Sequence, residues 1–311
     1  MKVITMGAHI LDVLVRPVDA IPEGQQTALV EDIRVAAAGT AAGTALTLAK
    51  LGATVRTAGA IGTDAPGDLL LTLLGRAGID TTLVVRKPDL PTSMSVLPIR
   101  RNGERPSLHL LGANPGYTLD DVDWGAVAGA DHLHLGGPEL IGADTAARIL
   151  AHAKANGATT SIDLIAPGEL GSLDAIAAAL PHCDYLLPNA EQVIGFTGAA
   201  DLTEGCRILV DAGAGMIAAT DGADGALLID AHTSRRIPAH DVAVVDTTGC
   251  GDAFSAGFLY GIGVGRPPLA AARLGSAVAA LVAQGLGSDH GDFTLDSADA
   301  FAAHTPARPT E

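Results

Sequence analysis

The chain has 311 residues, with 19 Lys and Arg against 35 Asp and Glu, a formal net charge of −16. That balance excludes a nucleic-acid backbone as partner, although an acidic enzyme still meets nucleotide phosphates through backbone amides and a divalent cation. Three scattered cysteines (Cys183, Cys206, Cys250) exclude a disulfide framework or zinc site, and no apolar run suits a signal peptide or membrane span, so a cytoplasmic protein is expected.

The length suits one α/β domain over 1–311. Val3–Met6 reads as a first, buried strand ending at Gly7, with Asp12 five residues on. Residues 13–36 hold Pro17, Pro22 and Gly24 between short β-branched runs, the pattern of strands that leave a main sheet and return. Ala36–Ala45 leads into an alanine-leucine helix closed by Leu51-Gly52. Val55–Gly59 reads as a strand, followed by a helix over about 67–76 capped by Asp64 or Asp68, then a short strand at 81–85. Thr92–Arg100 and Pro106–Leu111 flank Asn102-Gly103, a hairpin signal. With 13–36 this hairpin would form a small sheet outside the core, able to cover a ligand.

From about 118 the pattern alternates: strand 131–136, helix 142–155, strand 159–163, helix 173–180, strand 184–187. Such alternation predicts a parallel sheet with helices on both faces. His132 and His134 share a strand face but have no third ligand for a metal. Asp163 falls at a strand's carboxyl end, where open α/β sheets keep ligands. Asn189 reads as a helix cap with Glu191 in the first turn. Met216–Thr220 and Ala226–Ile229 flank a turn containing Gly222 and Gly225, an apolar helix covers 268–284, and the residues after Thr305 read as a loose tail.

The most informative stretch is Asp246-Thr-Thr-Gly-Cys-Gly-Asp252, between the apolar run Val242–Val245, which reads as a buried strand, and the helix-like Ala253–Tyr260. Gly249 and Gly251 would let successive N–H groups point into one concavity, and the helix start adds a positive dipole end. An anion belongs there. Asp252 puts a carboxylate at its mouth, which is either an ordinary first-turn helix residue or the base that phosphoryl transfer needs. The third glycine of a dinucleotide fingerprint is missing, since Phe254 stands there, and no Gly-Lys dipeptide exists for a P-loop.

With Asp246, Thr247, Gly249, Gly251 and Asp252 in place, the stretch resembles the Asp-Thr-x-Gly-Ala-Gly-Asp signature of the ribokinase-like (PfkB) carbohydrate kinases, Cys250 replacing the usual alanine. The resemblance runs along nearly the whole chain and implies a three-layer α/β/α fold, a mostly parallel central sheet and a small β-sheet lid formed by about 8–36 and 90–117. It implies that Asp252 is the catalytic base and that Gly249, Cys250 and Gly251 complete the anion hole. On the acceptor side it implies Asp12, Gly39, Thr40, Gly43 and Asn114. Gly43 stands where the family usually has an asparagine that contacts the sugar, an exchange expected to open space. On the nucleotide side it implies Asn189, Thr220, Gly222 and Gly225 for ATP, with Ser276 and Ala280 on the helix that walls the adenine pocket. Mg2+ accompanies ATP in this resemblance, and a monovalent cation such as K+ is implied beside Asp246 and Thr248. Gln192 stands where the family's Asn-x-x-Glu element has its acid, and the Asn and Arg that often follow Asp163 in sugar kinases are missing.

The implied activity is transfer of the ATP γ-phosphoryl to a hydroxyl of a small polyol. The lid segments contain a single aromatic, Tyr117, so a sugar or sugar acid is expected rather than a nucleoside, whose base calls for aromatic faces. Arg100, Arg101 and Arg105 leave room for a phosphorylated sugar. A nucleoside kinase of the same fold and a non-catalytic sugar-binding regulator are the alternatives, and a homodimer through the lid is compatible with the resemblance.

Overall fold

The computed structural model describes residues 1–101, 104–169 and 171–308. Its strands are β1 (Lys2–Gly7), β2 (Ile10–Arg16), β3 (Asp32–Ala38), β4 (Thr54–Gly62), β5 (Asp80–Lys87), β6 (Met94–Pro98), β7 (Leu108–Leu110), β8 (His132–Gly136), β9 (Thr159–Asp163), β10 (Tyr185–Leu186), β11 (Met216–Thr220), β12 (Ala226–Asp230) and β13 (Ser234–Ile237). Its helices are α1 (Thr40–Lys50), α2 (Ala65–Arg76), α3 (Trp124–Ala128), α4 (Pro138–Ile141), α5 (Ala143–Ala155), α6 (Ala190–Thr197), α7 (Leu202–Asp211), α8 (Cys250–Gly263), α9 (Pro268–Val282) and α10 (Leu295–His304).

Nine strands form the main sheet in the order β13-β12-β11-β10-β9-β8-β1-β4-β5. The seven from β11 to β5 are parallel, while β12 and β13 turn back antiparallel. Side chains alternate across the pleat, so Ile4, Met6, Ile217 and Ala219 pack against α3, α5, α6 and α7 on one side. Val3, Val55 and Ala218 face α1, α2, α8 and α9 on the other. Helix–sheet–helix layering follows from this alternation. The chain leaves β1 for the small sheet and α1 before pairing β4 on one flank, while β8 pairs β1 on the other. The cleft opens beyond the carboxyl ends of β9, β10 and β11, where Asp163, Leu187 and Thr220 line it.

A second sheet, β3-β2-β6-β7, stands apart from the first. In register across its four strands, Val35, Val13, Val96 and Leu108 share one face, and Ala36, Asp12, Ser95 and His109 belong to the other. This is the small sheet expected from 13–36 and the hairpin. The Asn102-Gly103 turn itself lies outside the described residues.

Three expectations fail. Residues 173–180 form no α-helix but two 3-10 turns, Leu173–Ala175 and Leu180–His182. The run is cut short by Pro181, and i→i+3 bonds suffice to bury Ile176, Ala179 and Leu180. Val242–Val245 is no buried strand: it is extended but unassigned, with Val244 56% exposed. The tail is not loose as far as Arg308, because Asp241 N–H bonds Pro306 O and Arg308 N–H bonds Ala239 O. Among the described residues no helix is long and apolar enough to cross a membrane.

Candidate active site

Helix α8 begins immediately after Gly249, whose φ of 75° is left-handed. A Cβ there would overlap Ser288, so both conformation and packing demand glycine. Gly251 differs from expectation: it lies within α8, takes no left-handed conformation and has nothing within 4 Å of where a Cβ would sit. Its missing side chain leaves cleft space open rather than relieving the backbone. Cys250 N–H is bonded to Thr247 O and Ala253 N–H to Gly249 O. Among the described residues the amides of Gly251 and Asp252 have no carbonyl partner, the usual state of a helix's first turn. Two free amides, a helix start and open space fit a phosphoryl group.

Asp252 follows on the same turn. It is half-buried and lines the cleft, and desolvation, together with nearby Asp12, raises its carboxyl pKa to about 7, against the pull of Arg105. Asp12, on β2, is buried. Its pKa rises to about 6 through burial, offset by the Ser95 hydroxyl and Arg105. Asp163, at the end of β9, is buried near Asp252 and raised well above the usual carboxylate range by burial and then by that charge. It accepts from Ser255 Oγ at 3.1 Å, one turn beyond Asp252 on α8.

Two connected spaces meet at α8. The first, about 250 Å³, is a polar cleft lined by Asp12, Thr40, Arg105, Asp163 and Asp252, under the inner face of the small sheet. The second, about 290 Å³, is largely apolar and is walled by Gly225, Val242, Val244, Ala279 and Ala280. Thr220, Thr247 and Gly251 line both. Cys250 lines the second space with a half-buried thiol, whose pKa burial and Asp246 push up to about 12, which disfavours the thiolate.

The predicted residues separate accordingly. Asp12, Gly39, Thr40, Asn189, Thr248, Gly249, Gly251 and Asp252 line the polar cleft, and Gly222, Gly225, Cys250, Ser276 and Ala280 line the apolar one. Gly39 has φ 93° and packs on Ala8. Gly225 sits against the backbone of Ile237 and Ala239. The Thr40 hydroxyl is buried and has no partner among the described residues.

Two expectations are corrected here, and one departure from the family pattern is explained. Asn114 does not reach the cleft: its side chain is buried and bonds His9 N–H at 3.0 Å and His9 O at 3.1 Å. Gly43 does not open acceptor space either. It lies beneath Asp252, and a Cβ on it would overlap Oδ2 of that carboxylate. Gln192 needs no lost acid to explain it: with Asn189 it forms a capping box, and its Nε2 donates to Leu164 O at 2.8 Å and Ile165 O at 3.0 Å.

Asp246 is buried and makes three bonds of its own. Oδ1 accepts from Thr248 N–H at 3.0 Å and Thr248 Oγ1 at 2.8 Å, and Oδ2 accepts from Gly287 N–H at 2.9 Å. Three of the carboxylate's acceptor positions are thus engaged by protein N–H and O–H groups. Among the described residues no group of three or more His, Cys, Asp or Glu could cage a metal. Mg2+ fits here as an ion carried by nucleotide phosphates and water.

Sequence reasoning missed Ser95 and His109, whose side chains bond each other at 3.0 Å beside Asp12. A period-2 reading of the hairpin against Asp12 would have found them. It also missed Val242 and Val244 as pocket wall, because a β-branched run looks the same in a wall as in a strand.

Comparison with known proteins gives one consistent picture. The pfkB family carbohydrate kinase profile matches residues 2–293. An ATP-dependent ribose-1-phosphate kinase of Halopiger xanaduensis is 33% identical over 260 residues, 83% of each chain. The Arabidopsis thaliana ribokinase solved with ribose and ATP superposes with TM-score 0.81 at 23% identity, covering 97% of this chain and 98% of that one. An E. coli chain assigned as ribokinase II, solved with ATP and Mg2+, gives TM-score 0.83 at 19% identity and covers 97% and 99%.

Proposed function

The chain belongs to the pfkB family of carbohydrate kinases, and on that premise we propose how its own residues transfer the γ-phosphoryl of ATP to a sugar hydroxyl. The observation that carries the reading is the position of Asp252, on the first turn of α8 where the polar and apolar spaces join. Val242, Val244 and the small residues of α9 would hold the adenine, and the turn at Gly222 and Gly225 the ribose or phosphates. Mg2+, when bound with the nucleotide, supplies positive charge to the phosphates. The Gly251 and Asp252 amides would stabilise the transferred group's charge, Asp12 would orient the acceptor, and Asp252 would remove the hydroxyl proton.

For the acceptor we favour a sugar bearing an anionic group, a phosphate ester or an acid. Among the described residues Arg105 is the Lys or Arg that lines the polar cleft, and the Halopiger relative is named for a sugar phosphate. No aromatic side chain among the described residues lines that cleft, and Tyr117 is core, which disfavours a nucleoside. Three departures from the family pattern support a non-catalytic regulator: Gly43 and Gln192 have packing explanations, and the missing Asn and Arg after Asp163 have none. The outer lid face, with Ile33, Val35, Leu108 and Leu110 exposed by 40–66%, would pair two copies of the chain.

The test is ADP release with MgATP against sugars, sugar acids, sugar phosphates and nucleosides. Turnover concentrated on an anionic sugar is expected. A dominant nucleoside signal overturns the acceptor class, and silence with ligand-raised melting temperatures overturns catalysis. Light scattering of Leu108→Lys against the native chain tests the dimer.

A further inference from the structure

Residues 286–291, Leu-Gly-Ser-Asp-His-Gly, form an irregular loop behind the anion hole. Gly287 N–H donates to Asp246, and Ser288 packs against Gly249, so the loop's position fixes both. Ser288 Oγ donates to Ala37 O at 2.8 Å, tying the loop to lid strand β3. Glycines with positive φ at 287 and 291 give the loop little stiffness of its own.

Two side-chain cations hold it instead. Lys50, the last residue of α1, donates from Nζ to three successive carbonyls: Asp289 at 2.6 Å, His290 at 3.2 Å and Gly291 at 2.5 Å. Its ammonium also lies 5.0 Å from the Phe293 ring centroid. Three acceptors match the three protons of an ammonium. Arg34, on β3, donates to Leu286 O at 2.7 Å and Asp289 Oδ1 at 2.8 Å. Converging backbone carbonyls are also the shell that strips and holds a monovalent cation.

We propose that Lys50 and Arg34 are positioning residues that clamp the 286–291 loop onto the anion hole, a fixed internal substitute for a dissociable monovalent cation. Phosphoryl transfer by this chain is then independent of added K+. The inference departs from the K+ expected beside Asp246 and Thr248, and its catalytic arm rests on the kinase reading above.

The first arm compares native enzyme in tetramethylammonium chloride and in KCl, with kcat expected to agree within about twofold. Activation by K+ of about tenfold or more overturns the proposal. In the second, Lys50→Met is expected to lose about ten- to a hundredfold in kcat with both KM values little changed, because a displaced anion hole costs the transition state. Ammonium or K+ should restore most of that loss, and Lys50→Arg should lose little. Unchanged kcat in Lys50→Met, or a loss that no added cation restores, overturns it.

The third arm needs no turnover. Amide exchange at Gly287 should quicken by about tenfold or more in Lys50→Met and slow again with added ammonium. Unaltered exchange overturns the clamp even if no acceptor is phosphorylated. Should Lys50→Met not fold, Arg34→Gln reports on the same loop by the same exchange measurement.

Discussion

Gly43 and Asp252 compete for one space: a Cβ built on Gly43 would overlap Asp252 Oδ2 and lie 2.8 Å from its Cγ. The glycine on α1 therefore sets where the α8 carboxylate rests. An asparagine at this position, as the resembled signature has it, requires a different carboxylate position.

Gly43→Ala is accordingly expected to push Asp252 toward the cleft and lower kcat by about a hundredfold, since misplacing a base by about 1 Å has that scale of effect. Gly43→Asn should be worse. Initial rates alongside melting curves check this; an alanine variant at native rate would show that Asp252 rests elsewhere during turnover.

Asp252→Asn keeps the shape and removes the proton acceptor, so turnover should fall by roughly 10²–10⁴-fold while ATP still binds. The native enzyme should show kcat/KM falling below about pH 7, because the base works ionised and its pKa is raised to about 7. The stability effect has the opposite sign to activity. A carboxyl whose folded pKa lies above its unfolded value favours the neutral form, so stability falls as pH rises from about 4 to about 7. Asp252→Asn escapes that penalty and should be more stable than native at pH 8 by on the order of 1–4 kcal/mol, measured by denaturant titration.

Much of this site was legible from the chain, and the reasons for the rest are local. Asp246–Asp252 stands out because a helix start with flanking glycines needs few long-range facts. The role of Gly43 could not be read, since α1 and α8 meet only in the tertiary structure. Asn114 misled because an amide that bonds a neighbouring backbone looks, in sequence, like one that bonds a ligand. The 286–291 loop was silent because its partners, Arg34 and Lys50, lie more than two hundred residues earlier.

Cys250→Ala should leave kcat within a few-fold. The thiol's pKa is pushed up by burial, and among the described residues its one hydrogen bond is a long one to Asp246 O at 4.0 Å, so the backbone is the working part. Cys250→Leu should instead raise KM for ATP, because the side chain borders the apolar space. Loss of activity in a folded alanine variant would give the sulfur a role.

Arg105 links three groups at once. It donates from Nε to Thr247 Oγ1 at 3.0 Å, and its charge lowers the pKa of both Asp12 and Asp252. Arg105→Gln should therefore do two separable things. By removing the cleft cation it should raise KM for an anionic sugar about tenfold or more, while KM for ATP stays near native. By removing a charge that favours ionised carboxylates it should move the acidic limb of kcat/KM upward, by up to about one pH unit for an exposed guanidinium. The two effects have different readouts, a substrate-dependent KM and a substrate-independent pH profile. If kcat falls equally for every acceptor and KM does not move, Arg105 acts on the phosphoryl group in transit and the anionic-acceptor reading fails. If neither KM nor the limb moves, the guanidinium points away from the cleft in the working enzyme, and its bond to Thr247 is only a surface contact.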